Sequence, residues 1–435
     1  MGYQKIKGTL DFIGYTALKR RYVEGKAREI VKAYNMEEII TPTFEATEVF
    51  NRSSGETSDV VTKEMYTFLD KSKKSITLRP EGTASVVRAF LENKLYANPG
   101  IKKYFYNMPM FRHERPQAGR YREFVQFGVE FFGDASYLLD ADVICLMDLI
   151  LKSVGFEGKY KVVVNTIGDF ESRTAYQTAL KEYFSDKIDG LCEDCKNRLN
   201  KNPMRILDCK VDRENPILQN APKIHDYLND SSKEYFNNLL KTLDYLGIEY
   251  VVDYNLVRGL DYYTDTVFEF ISLGDDKDPV NSLKNIAISA GGRYSGLTKT
   301  LGGPDVPGIG FAFGVERLAN LLEYYNLLPE LNYDCDLCLL SLDEESKLYA
   351  LSLCANLRSK GLVCEMDYIN NSLKPQFKLS DRVNSKYIII IGETERESGI
   401  AKIKNTSTAV QEDINIDYKN TNNLDNIINY IKENK

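Results

Sequence analysis

No stretch of this 435-residue chain comes near the roughly 20 unbroken apolar residues that a membrane-spanning helix requires. Its start, Met1-Gly-Tyr-Gln-Lys-Ile-Lys, lacks the apolar run and small-residue cleavage site of a secretory signal, so a cytoplasmic location with no membrane partner is expected. Histidine is scarce, with only His113 and His225. Eight cysteines in so long a chain, without a signal, read as reduced thiols rather than a disulfide framework. Cys335 and Cys338 fall in a strand-like alternating run, where small buried thiols are common. Cys192, Cys195 and Cys209 have the spacing of half a zinc site without an obvious fourth ligand. Packing thiols are the default there and no metal ligand is assigned, a question the sequence leaves open. No fixed-period repeat or low-complexity tract is present. The net charge of −7 argues against indiscriminate attraction to nucleic acid. It leaves room for a local basic surface, because phosphate attraction acts over about a Debye length.

What is present suits a soluble chain of two or three domains, with 43% hydrophobic and 27% charged residues. Thr16 to Tyr34 carries Leu18, Tyr22, Val23, Ala27, Ile30, Val31 and Tyr34, the spacing of a long amphipathic helix. A short strand over Glu38 to Thr41 is stopped by Pro42. Ser75–Leu78, Lys102–Phe111 and Arg122–Phe131 read as strands and Thr83–Leu91 as a helix. With no βαβ rhythm, a doubly wound parallel sheet is not expected. A polar, helical insertion is expected over about 169–247, and the first domain over 1–326. A linker at 327–334 then leads to a small α/β domain over 335–435.

Two runs carry chemistry. Between Phe111 and Phe124 a strand enters a loop holding Arg112, Glu114, Arg115, Gln117, Arg120 and Arg122, then leaves as another strand. Such a hairpin aims Arg112 and Glu114 into a cleft from its base, while its tip meets an anionic partner. Gly308-Ile-Gly310-Phe-Ala-Phe-Gly314-Val-Glu316-Arg317 is a glycine-spaced strand opening a helix, where a backbone or flat ligand can approach closely. Its spacing is not that of a dinucleotide-binding turn.

Pro42 after the long helix, the Phe111–Phe124 hairpin and Gly308–Leu318 resemble, in order, the three motifs of class II aminoacyl-tRNA synthetases. Leu256-Val-Arg258-Gly-Leu-Asp261-Tyr262-Tyr263 and Ala290-Gly-Gly-Arg293-Tyr294 resemble the two histidine-specific motifs of the histidyl-tRNA synthetase family. Thr77-Leu-Arg79-Pro-Glu81-Gly82-Thr83 is similar to its amino-acid-facing segment, and Lys374 to Asp381 with Ile391-Gly392-Glu393 to its anticodon-binding domain. The resemblance covers nearly the whole chain.

It implies an α+β class II catalytic domain, with a mostly antiparallel sheet flanked by helices and a helical insertion. A C-terminal α/β anticodon-binding domain follows. It also implies ATP-dependent joining of L-histidine to histidine tRNA, with magnesium accompanying ATP, in a homodimer. The implied alternative is a catalytically inactive paralogue serving histidine biosynthesis as a regulatory subunit. Such proteins typically lack the C-terminal domain and degrade the Arg258 region, and both are intact here.

By the same resemblance, Arg258 and Arg112 act in catalysis, a fixed guanidinium offsetting charge that builds on the α-phosphate. Glu81, Gly82 and Thr83 face the α-amino group and Gln126 the carboxylate. Glu130 and Tyr263 bond the two imidazole nitrogens, with Tyr262 and Tyr294 lining the pocket. Arg112, Glu114, Phe124 and Arg317 bind ATP, the last two enclosing the adenine ring. Arg115 and Gln117 reach the tRNA acceptor end.

Overall fold

The computed structural model describes all residues except 1, 56, 57, 59, 116–118, 210, 261, 275–285, 371 and 434–435. The chain divides into two compact units, Met1–Pro329 and Glu330–Lys435.

In the first unit, helix α1 (Tyr15–Ala33) leads to the short strand β1 (Glu37–Glu38). Here the ladder is shorter than the expected Glu38–Thr41 strand, although Ile39 still donates its N–H to Phe105 at 2.9 Å. Strands β2 (Phe44–Ala46), β3 (Tyr66–Leu69) and β4 (Ser75–Leu78) form a small antiparallel sheet in the order β2-β4-β3. Between β2 and β3 lies α2 (Thr47–Ser54), and α3 (Thr83–Glu92) follows β4.

The long hairpin is β5 (Lys102–Phe111) and β6 (Glu123–Phe132), followed by α4 (Tyr137–Ser153) and β7 (Tyr160–Thr166). Helices α5 (Phe170–Ser185), α6 (Glu193–Leu199), α7 (Pro216–Gln219) and α8 (Asp230–Tyr245) separate β7 from β8 (Tyr250–Val252). The unit closes with β9 (Thr264–Ser272), β10 (Ala287–Arg293), α9 (Leu297–Thr300), β11 (Gly308–Gly314) and α10 (Val315–Tyr324).

Eight of these strands make one sheet, ordered β1-β5-β6-β11-β10-β9-β7-β8. Its outer pairs β1–β5 and β7–β8 are parallel and the interior is antiparallel. Strand periodicity divides its two faces. Val125, Phe127, Val129 and Phe131 of β6, with Ile309, Phe311 and Phe313 of β11, enter a core that also holds Val23, Ala27 and Val31 of α1. Helices α4, α8 and α10 complete that core. The opposite face of β6 presents Phe124, Gln126 and Glu130, and that of β11 presents Gly308, Gly310, Ala312 and Gly314. Small residues on β11 thus leave a hollow beside polar residues on β6.

α1 therefore spends its apolar face inside its own chain, packed with α4 and α10. Within the predicted insertion, α8 likewise belongs to the main core through Phe236, Leu239 and Leu243. Helices α5 to α7 instead join a second cluster around Tyr176, Leu180, Phe184 and Cys195.

The second unit is a five-stranded mixed sheet, with β12 (Cys335–Ser341), β13 (Cys364–Met366), β14 (Ser385–Ile391), β15 (Ile400–Asn405) and β16 (Gln411–Asn415) in the order β13-β12-β14-β15-β16. β12, β13 and β14 run parallel, as connecting helices α11 (Glu344–Ser359) and α12 (Leu373–Arg382) require. Helices α13 (Glu393–Ser398) and α14 (Thr421–Glu433) complete it. Cys335 and Cys338 are buried on β12 as strand thiols.

Candidate active site

The β5–β6 ladder ends at Phe111 and Glu123, and the Arg112 N–H bonds the Arg122 carbonyl at 2.9 Å just beyond it. This fixes Arg112 at the base of the loop. Its Nε donates to the Pro80 carbonyl at 2.8 Å, and its guanidinium lies 5.4 Å from the Phe124 ring centre. Glu114 sits 3.7 Å from Arg112 and 3.5 Å from Arg120. Arg317, at the start of α10, donates to the Ala287 carbonyl at 2.6 Å and to the Gly119 carbonyl at 3.3 and 3.4 Å. It thereby clasps the loop against β10.

Glu81 caps α3: its two carboxylate oxygens accept from the N–H groups of Thr83 at 2.6 Å and Ala84 at 2.9 Å. Burial raises its pKa, while those N–H groups and Arg112 oppose the rise. The Thr83 hydroxyl donates to Glu130 at 2.7 Å, and the Tyr294 hydroxyl donates to the other Glu130 oxygen. Glu130 is only 1% exposed, and burial pushes its pKa up to about 8 against those two bonds.

The space beside it depends on two glycines. A side chain at Gly310 would overlap the Glu130 carboxylate, and one at Gly82 would overlap the Tyr106 ring.

Arg258 precedes β9 and donates through Nη1 to Glu269, a β9 carboxylate eleven residues on. Its guanidinium carbon stands 5.3 Å from the Tyr263 ring centre, and its Nε finds no hydrogen-bond partner among the described residues. Burial would lower its pKa, but Tyr263 and Glu269 hold it above the ordinary value, so the charge is permanent. The Gln126 Oε1 is also buried without a partner among the described residues.

These groups surround one cavity of about 210 Å³. Glu81, Thr83, Gln126, Tyr262, Tyr263 and Tyr294 line it, together with Arg112, Glu114, Phe124, Arg258 and Arg317. Gly82 and Glu130 are set behind that lining, Glu130 reaching Thr83 and Tyr294, which form it. Arg115 instead faces a shallow depression with Lys63, His113 and Arg120. Gln117 and Asp261 lie outside the described residues. Sequence reading passed over Tyr106, Tyr121 and Leu260, which also line the cavity. Of these, Tyr106 carried a signal: it alternates in register with Tyr104 and Met108 on a strand feeding the charged loop.

A family model described as histidyl-tRNA synthetase matches residues 8–318, and one described as an anticodon binding domain matches residues 336–434. A histidine–tRNA ligase of Halothermothrix orenii is 49% identical over 410 residues, covering 94% of this chain and 96% of its own. That of Staphylococcus haemolyticus is 45% identical over 428 residues, 98% of each chain. The chain belongs to the histidyl-tRNA synthetase family.

Among solved structures, apo Staphylococcus aureus histidyl-tRNA synthetase is similar at a TM-score of 0.82 and 38% identity, covering 99% of this chain and 100% of that one. A Bacillus halodurans structure described as an ATP phosphoribosyltransferase regulatory subunit/histidyl-tRNA synthetase shares the fold alone. It is 20% identical, with a TM-score of 0.64, covering 90% of this chain and 99% of that one. In the family's terms, the large sheet belongs to a class II catalytic domain and the second unit is an anticodon-binding domain.

Proposed function

We infer that the chain is a histidine–tRNA ligase working in two steps at the cavity beneath the β5–β6 hairpin. The histidine carboxylate attacks the ATP α-phosphorus, and the bond to pyrophosphate breaks, giving histidyl-adenylate. A terminal hydroxyl of histidine tRNA then takes the histidine and releases AMP. One observation carries this reading: five separated stretches of chain meet around one hollow, which guanidinium groups, carboxylates and tyrosines line together.

No general base is needed for activation, because the attacking carboxylate is already ionised. What the step needs is positive charge held where negative charge builds. Arg258 supplies it, kept in place by Glu269 and Tyr263. Arg112 binds the α-phosphate, Glu114 meets the adenine amino group, and Phe124 and Arg317 enclose the ring. Glu81 and Thr83 take the α-amino group and Gln126 the carboxylate. Tyr263 and Glu130 meet the two imidazole nitrogens, with Tyr262 and Tyr294 at the walls; a donor and an acceptor suit neutral imidazole. Arg115 and Gln117 meet the tRNA acceptor end.

The cavity's carboxylates are already engaged: Glu81 with backbone N–H groups, Glu114 with arginines, and Glu316 with the Val125 N–H at 2.9 Å. Magnesium is therefore proposed as the counter-ion of ATP, with no protein ligand assigned. It supplies charge neutralisation to the polyphosphate.

The catalytic domain is assigned to 1–326, including the insertion at about 169–247. A linker at 327–334 and an anticodon-reading domain at 335–435 complete the chain. No helix among the described residues is long and apolar enough to cross a membrane, and the enzyme is proposed to work in the cytoplasm as a homodimer. The small sheet favours that assembly. Phe44 and Phe68 are 53% and 47% exposed on the same face as Ile76 and Leu78, whereas Glu45 and Thr77 are buried on the other.

Single-turnover formation of histidyl-adenylate tests the residue roles. Arg258→Ala should slow the chemical step by on the order of a hundred- to thousandfold while changing ATP binding far less. Normal adenylate kinetics in a folded Arg258→Ala protein would remove the residue from the mechanism.

A further inference from the structure

The cysteines that the sequence left without a fourth partner have one in space. Cys192 stands at the start of α6, Cys195 lies within it, and Cys209 and Asp212 come from the loop that returns past it. The four ligand atoms lie within 4.8 Å of one another. Cys192 and Cys209 sulfurs are 3.6 Å apart, and Cys209 Sγ is 3.5 Å from Asp212 Oδ2. Zinc–sulfur bonds of about 2.3 Å in a tetrahedron give sulfur–sulfur edges of about 3.8 Å, so the cluster already has nearly the size of a filled site. A disulfide needs sulfurs about 2.05 Å apart, and the cluster's three cysteines, Cys192, Cys195 and Cys209, are all free thiols. The pattern is regular: a Cys-x-x-Cys pair, then a Cys-x-x-Asp pair.

We propose that Cys192, Cys195, Cys209 and Asp212 form a structural zinc site that folds the insertion's α6 loop. The donor set is three soft sulfurs and one carboxylate, which suits zinc better than magnesium or calcium. All four protein ligands are supplied, so no open position remains for catalysis. Cys195, Cys209 and Asp212 are buried, and the Cys192 N–H donates to Asp212 Oδ2 at 2.9 Å, orienting the carboxylate. The thiols must release protons as the cation enters, so binding tightens as pH rises.

The site has a consequence for the cavity beside it. The loop it closes carries Asn202, Met204 and Arg205, which line a small cleft with Arg258 and Tyr263. Holding that loop also holds the wall behind the catalytic arginine.

Metal analysis of the full-length protein, purified without chelator or affinity metal, should find close to one zinc per chain. Titrating the metal-free protein with cobalt(II) should produce the charge-transfer absorption of thiolate ligands. Cys209→Ala should abolish that band, Asp212→Ala should weaken cobalt binding by more than about tenfold, and Cys145→Ala, outside the cluster, should leave it unchanged. Chelation should expose the 192–212 segment to protease. The proposal is overturned if zinc-supplemented protein carries no zinc and shows no cobalt–thiolate band. It is equally overturned if Cys209→Ala retains the full spectrum, or if mass spectrometry finds a Cys192–Cys209 disulfide. Should Cys209→Ala fail to fold, the metal content and cobalt spectrum of the unmodified chain decide by themselves.

Discussion

Glu130 shows how burial and recognition meet in one side chain. Its folded pKa of about 8 lies above the ordinary 4.5 because the carboxyl is withdrawn from water. Between those values the folded protein keeps a proton that the unfolded chain has lost. Stability therefore falls as pH rises from about 4.5 to about 8, then levels off. Glu130→Gln cannot titrate, so it should gain on the unmodified protein across that window, by on the order of a few kcal/mol. Parallel unfolding curves for the two proteins would remove the shift. At fixed pH Glu130→Ala, which removes the hydrogen-bonding group outright, should raise the histidine requirement much more than the ATP requirement, by about 2–3 kcal/mol. Equal effects on both substrates would mean only that the fold was damaged. This carboxyl was named through the family resemblance, but its bonds to Thr83 and Tyr294 were not legible, since both partners come from distant parts of the chain. Arg258 presents the same limit: its partner Glu269 sits on the next strand, eleven residues away, and nothing in the local spacing names it.

At the scale of elements, strands with strong alternation and clear ends were legible. β4 and β5 fall where spacing and turn residues put them, Ser75–Leu78 and Lys102–Phe111. β16 (Gln411–Asn415) was not, because its sequence is polar and its pairing with β15 supplies the order. Arg293 illustrates what an alignment of motifs alone does not reveal. It is 1% exposed and bonds Asp140, together with the carbonyls of Asp134 at 2.8 Å and Ser136 at 3.2 Å. Thr266 and Tyr235 also donate to Asp140, at 2.5 and 2.8 Å. Arg293 thus ties β10 to α4 and sets Tyr294, the next residue, against Glu130. Asp140→Ala leaves a buried guanidinium without its counter-charge, and should cost about 3–5 kcal/mol. Thermal unfolding checks this, and a melting temperature within a degree of the unmodified protein would contradict it.

For the whole molecule, the apolar outer face of the small sheet and the division of the chain into two compact units lead to separate predictions. Sedimentation at micromolar concentration should show a species near twice 49.7 kDa. Phe44→Glu with Phe68→Glu should shift it toward the monomer, and a native monomer that still aminoacylates would count against the assembly. A chain ending at Glu330 keeps the whole first unit and should activate histidine while charging tRNA poorly. Activation of histidine by this chain is read out by ATP–pyrophosphate exchange over a panel of amino acids. Exchange should appear with histidine and stay near background with every other amino acid, because an analogue without both ring nitrogens leaves buried polar groups unpaired. A folded protein with no histidine-dependent exchange, or one that exchanges equally well with another amino acid, would contradict the account.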